Sequence, residues 1–276
     1  DYMKHVLEKI KNVKFRLDAM GRLERDNRIS DLRINIGKSI YRMGIGGLHS
    51  SEEQIGYTSN ADYQIYDRDV ASYYPAIVLN CRLFPAHLGE AFLQVYQSLV
   101  DRRIAAKKAK NIAISENLKV TINGTFGKTG SPYSVLYAPE MTIQITVGGQ
   151  LYLLMLIEKM EMEGIQVISA NTDGIIMYVH KDQVQTYQRI IADWETITGF
   201  TTEETKYNAV YSRDVNAYIA IKGDEVKGKN VLYDPWRSKS AKDAYWRFQK
   251  NPNLQICVEA IELLLTKRIP IEQTIR

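Results

Sequence analysis

The chain has 276 residues, 45% hydrophobic and 25% charged, proportions that suit a soluble globular fold with a sizeable core and exclude a disordered or fibrous chain. Its net charge of +4 is small but uneven: residues 1–50 hold eleven basic and six acidic side chains, residues 81–130 eight and three, residues 51–80 one and five. Such blocks fit solvated helix faces, and equally an anion-binding surface beside cation-binding carboxylates.

In chain order, Met3, Val6, Leu7, Ile10, Val13 and Leu17 recur at helical spacing and predict an amphipathic helix from Tyr2 to about Leu23. Residues 1–30 lack the apolar core of a secretion signal, and Asp1 at the first position points to a piece of something longer. A glycine-dense turn, Gly44-Ile45-Gly46-Gly47, precedes a short strand over Gln64–Tyr66 that ends at Asp67-Arg68-Asp69. After Pro85, the apolar positions Phe92, Leu93, Tyr96, Leu99, Val100 and Ile104 predict a helix running into Lys107-Lys108-Ala109-Lys110. A further helix over about 115–126 returns antiparallel to it. Residues 139–162 read as a long buried helix, yet the longest apolar run, near 150–157, is short of the roughly 20 residues a bilayer span needs, so no membrane partner is expected. Val167–Ala170 and Gly174–Val179 predict a hairpin with Asn171-Thr172-Asp173 at its tip. A helix at about 181–197, a strand over Val210–Ile221 and a last helix over Leu254–Leu265 complete the chain. Cys81 and Cys257 stand far apart, which argues against disulfides or structural zinc and for a reducing, cytoplasmic compartment. The mixed order predicts an α+β fold: an antiparallel sheet backed by helices, with a basic helical hairpin over about 90–127 between its first and second strands.

Three segments carry chemistry. Asp69-Val70-Ala71-Ser72-Tyr73-Tyr74-Pro75 sets a carboxylate at a strand end before small residues whose amides can face a phosphate; taken alone, Asp69 also suits a turn or helix cap. Lys119 and Asn123 lie one helical turn apart, as do Arg103 and Lys107 on the preceding helix, so these groups can surround a triphosphate or simply line a solvated surface. Asp173 at the hairpin tip gives a second carboxylate, as a pair of Mg²⁺ ions needs for phosphoryl transfer, although Asp is also common in turns.

Together these segments resemble the polymerase core of family B DNA polymerases. Asp69-x-x-Ser72-x-Tyr74-Pro75 is similar to that family's first palm motif, Lys119-x-x-x-Asn123-Gly124-x-Phe126-Gly127 to its fingers motif, and Asn171-Thr172-Asp173-Gly174 to its D-T-D-S hairpin. The resemblance runs from about Gly46 to Ile275. It implies that Asp69 and Asp173 hold two Mg²⁺ ions, or Mn²⁺ in their place, with the Val70 carbonyl as a further ligand. Ser72, Tyr73, Tyr74, Arg103, Lys107, Lys119 and Asn123 would bind the dNTP, with Tyr74 excluding a 2′-hydroxyl. Gly46, Gly47, Gly127, Thr172, Arg213, Asn216 and Tyr218 would contact primer–template DNA. The chain departs from the pattern at Asn171 for Asp, Gly174 and Gly124 for Ser, Phe126 for Tyr, and Asn216 for Lys.

The implied organisation is an N-terminal helical segment (1–40), palm (41–89), fingers (90–127), palm again with the catalytic hairpin and primer strand (128–222), and the start of a thumb (223–276). Fifty residues separate Asp69 from Lys119 and Asn123 from Asp173, too few for the insertions of protein-primed relatives. Compact members of this kind occur in phages and mobile elements, so a phage-encoded enzyme in a host cytoplasm is one expectation. A missing thumb or exonuclease portion, or accessory replication proteins, would be its partners. Two other readings remain: a lapsed polymerase that only binds nucleic acid, and a reverse transcriptase-like enzyme sharing a two-carboxylate palm.

Overall fold

The computed structural model describes residues 3–24, 29, 32–230 and 255–274. A short helix α1 (Lys4–Lys11) leads to strands β1 (Arg33–Ile36), β2 (Ser39–Arg42), β3 (His49–Ser50), β4 (Glu53–Thr58) and β5 (Tyr63–Val70). Helices α2 (Tyr73–Asn80), α3 (Ala91–Lys108), α4 (Ile112–Thr129) and α5 (Pro139–Met162) follow, then the hairpin β6 (Gln166–Asn171) and β7 (Gly174–His180). After α6 (Val184–Thr198) come β8 (Thr202–Tyr207), β9 (Ala209–Asp214), β10 (Ala217–Lys222) and β11 (Glu225–Lys229), with α7 (Gln255–Lys267) and α8 (Ile271–Thr274) beyond.

The fold is α+β, with two antiparallel sheets. The larger runs β1-β2-β3-β6-β7-β5-β8 and the smaller β11-β10-β9-β4. Period-two alternation along β5 sorts its side chains: Tyr66 and Val70 join the main core with Ile175, Met177 and Val179 of β7, while Ile65 joins Ile168, Ile176, Tyr207, Val210 and Ala220 in a second core. The helices therefore cover one face of the large sheet and the small sheet covers part of the other. Asp67 and Asp69 fall on the same face as Ile65, Asp67 buried and Asp69 exposed at the strand end. Each fully buried aliphatic side chain in these cores contributes roughly 1.5–3 kcal/mol relative to an exposed one.

Helix α5 is 24 residues long and, among the described residues, is apolar enough to cross a bilayer by length and composition, although the apolar run within it is short. Its apolar surface is spent inside the protein: Met141, Ile145, Leu153, Leu154, Leu156 and Ile157 are buried against α2, α6 and the large sheet. Trp194 of α6 anchors this layer, fully buried with its Nε1 donating to the Tyr152 carbonyl at 2.9 Å.

The N-terminal segment is not the helical unit that periodicity predicts. α1 stops at Lys11, because Asp18 accepts the Met20 and Arg22 amides, each at 2.8 Å, and Gly21 turns at φ +75°, so a local turn outcompetes the helix. Residues 33–42 form the β1–β2 hairpin, closed at Gly37 with φ +58°. β5 is longer than Gln64–Tyr66, running from Tyr63 through Asp67-Arg68-Asp69 to Val70. The single strand expected over Val210–Ile221 is two, β9 and β10, because Asp214 Oδ1 caps a turn by accepting the Asn216 amide at 2.9 Å. β11 extends the small sheet into the stretch assigned to a thumb; residues 231–254 of that stretch lie outside the described residues.

Candidate active site

Sheet register brings the two acid-bearing segments together. Asp69 lies directly opposite Gly174 of β7 and Glu203 of β8. The Val70 amide donates to the Asp173 carbonyl at 2.8 Å, so the β6–β7 tip is tied to the end of β5 by backbone. Thr172 adopts φ +58° to make that tight turn, and its amide donates to the Leu48 carbonyl at 2.8 Å. Gly174 explains itself here: a Cβ at this position would overlap Asp69 Oδ1 and stand 3.0 Å from the Arg68 carbonyl, so a serine would have to displace the carboxylate. Gly47 does the same for the tip, since a Cβ there would stand 2.9 Å from Thr172 Cβ. The loop from Gly44 to Gly46 is fixed by Gln150, buried on α5, whose Nε2 donates to the Gly44 and Gly46 carbonyls at 2.8 and 2.9 Å.

Both carboxylates titrate above the ordinary range. Burial comes first for Asp69, countered by Lys227; for Asp173 burial again leads, followed by the charge of Asp69. Asp67, 5% exposed, is pushed up to about 6 by burial and then by Asp69, with its hydrogen bond to Tyr207 acting the other way. A pair of carboxylates completed by phosphate oxygens and water is the donor set Mg²⁺ prefers, and Asp69 and Asp173 fit it. Among the described residues no group of three or more His, Cys, Asp or Glu side chains gathers tightly enough to hold a metal unaided.

The helical hairpin α3–α4 supplies cations beside these acids. Asn111 caps α4 by accepting the Ile114 amide at 3.2 Å, and Tyr96 Oη donates to the Ile122 carbonyl at 3.2 Å, which locks the two helices together. Arg103 Nη1 donates to Ser72 Oγ at 2.9 Å, while its Nε is buried with no hydrogen-bond partner among the described residues. Ser72 sits at φ +51° between β5 and α2. Lys107 Nζ lies 3.5 Å from Glu203 Oε1, and Lys119 3.7 Å from Glu116. Tyr74, Arg103, Lys119, Asn123, Phe126 and Asp173 line a cavity of about 410 Å³. The Tyr74 ring packs against Phe126 with centroids 4.5 Å apart. Tyr73 borders the same cavity but turns inward: it is 4% exposed and its hydroxyl donates to the Gly149 carbonyl at 2.5 Å.

Other expected residues scatter more. Asn171 Nδ2 donates to the Val215 carbonyl at 3.0 Å and lies 3.4 Å from Asn216 Oδ1, so it cross-ties the hairpin to the β9–β10 turn; a carboxylate could not donate there. Tyr218 is half-buried near the acids, with its hydroxyl raised to about 12 by burial and by Asp67, Asp69 and Asp173. Arg213 points at its neighbour Asp214, Nε to Oδ2 3.0 Å. Gly127 lies exposed on α4 with open space around it and joins no cluster. Gly46 likewise has nothing within 4 Å of where a Cβ would go.

Sequence reasoning noted Asp67 only as an acid at the strand end beside Asp69, and passed over Glu203, Tyr207, Gln150, Lys227 and Lys229. Asp67 left a local signal, its i, i+2 spacing from Asp69 in a strand. The others reach the site through sheet register and inter-sheet packing.

No protein-family model matches the chain, and no curated protein matches it. Among solved structures it is similar to the family B DNA polymerase from the hyperthermophilic archaeon Pyrobaculum calidifontis, with a TM-score of 0.51 and 17% identity over 89% of this chain. The match covers 33% of that polymerase, so the chain spans about a third of its length. The chain thus has a distant polymerase-like fold.

Proposed function

We propose that this chain is the palm-and-fingers core of a template-directed DNA polymerase related to family B, adding dNTPs to a primer 3′-hydroxyl. The observation that carries the reading is the juxtaposition of Asp69 and Asp173, from separate segments, beside a cavity into which Arg103, Lys119 and Asn123 project. In this reading the large sheet is the palm and α3–α4 the fingers. Asp69 and Asp173, with the Val70 carbonyl, would hold two Mg²⁺ ions, which would supply charge stabilisation to the phosphoryl transfer.

The remaining chemistry belongs to the chain. Arg103, with its unpartnered Nε and a donor already turned toward Ser72, takes two phosphate oxygens at once, and Lys107 leaves Glu203 to take another. Lys119 and Asn123 hold the far end of the triphosphate from α4. Tyr74, braced by Phe126, would stack beneath the deoxyribose and exclude a 2′-hydroxyl. Primer–template DNA lies along the face bearing Thr172 and Tyr218. Primer extension with purified protein, dNTPs and Mg²⁺ tests the reading: extension that follows the template and vanishes in EDTA is expected, and its absence across Mg²⁺ and Mn²⁺ would remove it.

A further inference from the structure

The small sheet brings two lysines to the acids from the side away from α3–α4. Lys227 and Lys229 stand at alternate positions of β11, so both side chains leave the same face. Register pairs Lys229 with Tyr218 and Lys227 with Ala220, which is the face that packs on the large sheet through Val210, Ala220 and Tyr207. Lys229 Nζ lies 5.9 Å from the Tyr218 ring centroid; Lys227 Nζ lies 3.3 Å from the Tyr207 hydroxyl, which itself reaches Asp67. Among the described residues neither lysine has a carboxylate within ion-pairing distance, yet the field of Lys227 is felt at Asp67 and Asp69 and that of Lys229 at Asp69 and Asp173. Two long cationic side chains are thus held beside three acids without neutralising any of them by contact.

Template-directed transfer brings two polyanions to one pair of carboxylates: a nucleoside triphosphate, and the end of a nucleic-acid strand. Arg103, Lys107 and Lys119 account for the first. Asn216 brings no charge to the second: its side-chain Oδ1 lies 3.4 Å from Asn171 Nδ2 and its backbone carbonyl accepts Asn230 Nδ2 at 2.8 Å. We propose that Lys227 and Lys229 grip the phosphates adjoining the primer 3′ terminus, with Tyr218 packed beneath Lys229 to aim it. The assignment rests on the polymerase reading above and concerns a positioning role, since the lysines touch the strand and not the reacting oxygens.

The decisive experiment pairs protein and DNA changes in a binding titration of the full chain, read by fluorescence anisotropy on labelled primer–template. Methylphosphonates at the two 3′-terminal primer linkages remove the phosphate charges without changing base pairing. The expected result is that wild-type protein loses about tenfold in affinity on this primer. K227A/K229A should lose a similar factor on ordinary DNA and nothing further on the modified primer. The slope of log K against log salt should shrink by roughly two for the double variant and by roughly one for K229A, which leaves the Tyr207 contact in place. K227R/K229R should restore binding. Losses that simply add, or equal sensitivity of the double variant to primer and template methylphosphonates, overturn the assignment. Asp69-dependent extension together with additive losses removes the lysine role and leaves the polymerase reading intact; coupled losses without any extension remove the polymerase reading and keep the contact. Failure of wild-type protein to bind primer–template removes both.

Discussion

Asp67, Asp69 and Asp173 crowd one end of a sheet face, Asp67 buried and the other two open to solvent, and their mutual repulsion sets what each substitution should do. Asp69→Asn or Asp173→Asn should reduce primer extension roughly thousandfold or more, since, on the proposed reading, a lost carboxylate ligand forfeits several kcal/mol of transition-state stabilisation. Neither should lower the melting temperature in EDTA, because each removes a charge that the other carboxylate opposes. A variant that unfolds, or one that extends near normally, would contradict the assignment. Asp67 behaves differently. Its folded-state pKa of about 6 lies above the ordinary value of 3.8, so the folded protein takes up the proton first. Stability from this group is therefore full below about pH 4 and is lost as pH rises through 6, a difference on the order of 3 kcal/mol for so buried a group. Urea midpoints in EDTA at pH 4.5 and pH 7.5 should show the wild type gaining at the lower pH, with the gain reduced in Asp67→Asn; an unchanged difference would mean that other groups set it.

At the scale of elements, the β6–β7 hairpin and the α3–α4 hairpin divide the work. The hairpin tip is pinned by backbone to β5 and to Leu48, and Gly174 is the position where Asp69 passes across β7. Gly174→Ala should leave the fold intact and cut extension at least tenfold, because the new methyl pushes the Asp69 carboxylate aside while removing no hydrogen bond. A crystal structure of the variant with Asp69 undisturbed and full activity would refute that cause. On α4, Lys119 is a half-exposed cation whose only ion pair is with Glu116 in the preceding turn, among the described residues. Lys119→Ala should raise the apparent KM for all four dNTPs by a similar factor, since a cation on phosphate oxygens does not read the base. Steady-state single-nucleotide insertion opposite each template base measures this directly, and a defect confined to one dNTP would argue for a base contact instead.

Across the whole molecule, charge is split by architecture: the basic hairpin α3–α4 and the β11 lysines flank a sheet end that carries the acids. Binding to primer–template should therefore rest mainly on phosphate neutralisation. With Lys227 and Lys229 alone as phosphate contacts, affinity should fall by about tenfold between 50 and 200 mM salt, and by more for each further cation that reaches the backbone. A salt-insensitive affinity over that range, measured by anisotropy, would show that the chain meets DNA through apolar or base contacts.

Much of this organisation was legible in the chain itself. The α3–α4 hairpin, α5 and the β6–β7 hairpin announce themselves by periodicity, because each buries one continuous face and so repeats its apolar residues at 3.6 or 2. Asp69, Asp173, Arg103 and Lys119 stood out because short motifs place them on neighbouring turns of local structure. Residues 1–40 misled, since the helical spacing of Val13 and Leu17 is overridden by the Asp18 turn, and Ile34, Ile36 and Tyr41 take their burial from the sheet they join. The second half of the site was settled only in three dimensions. Glu203 faces Asp69 through strand register, Asp67 is made a near-neutral acid by the small sheet packed over it, and Lys227 and Lys229 arrive on a strand more than 50 residues after Asp173. Register and inter-sheet packing are long-range pairings that no local period encodes, so the sequence determined which groups could do the chemistry, and the tertiary fold decided which of them meet.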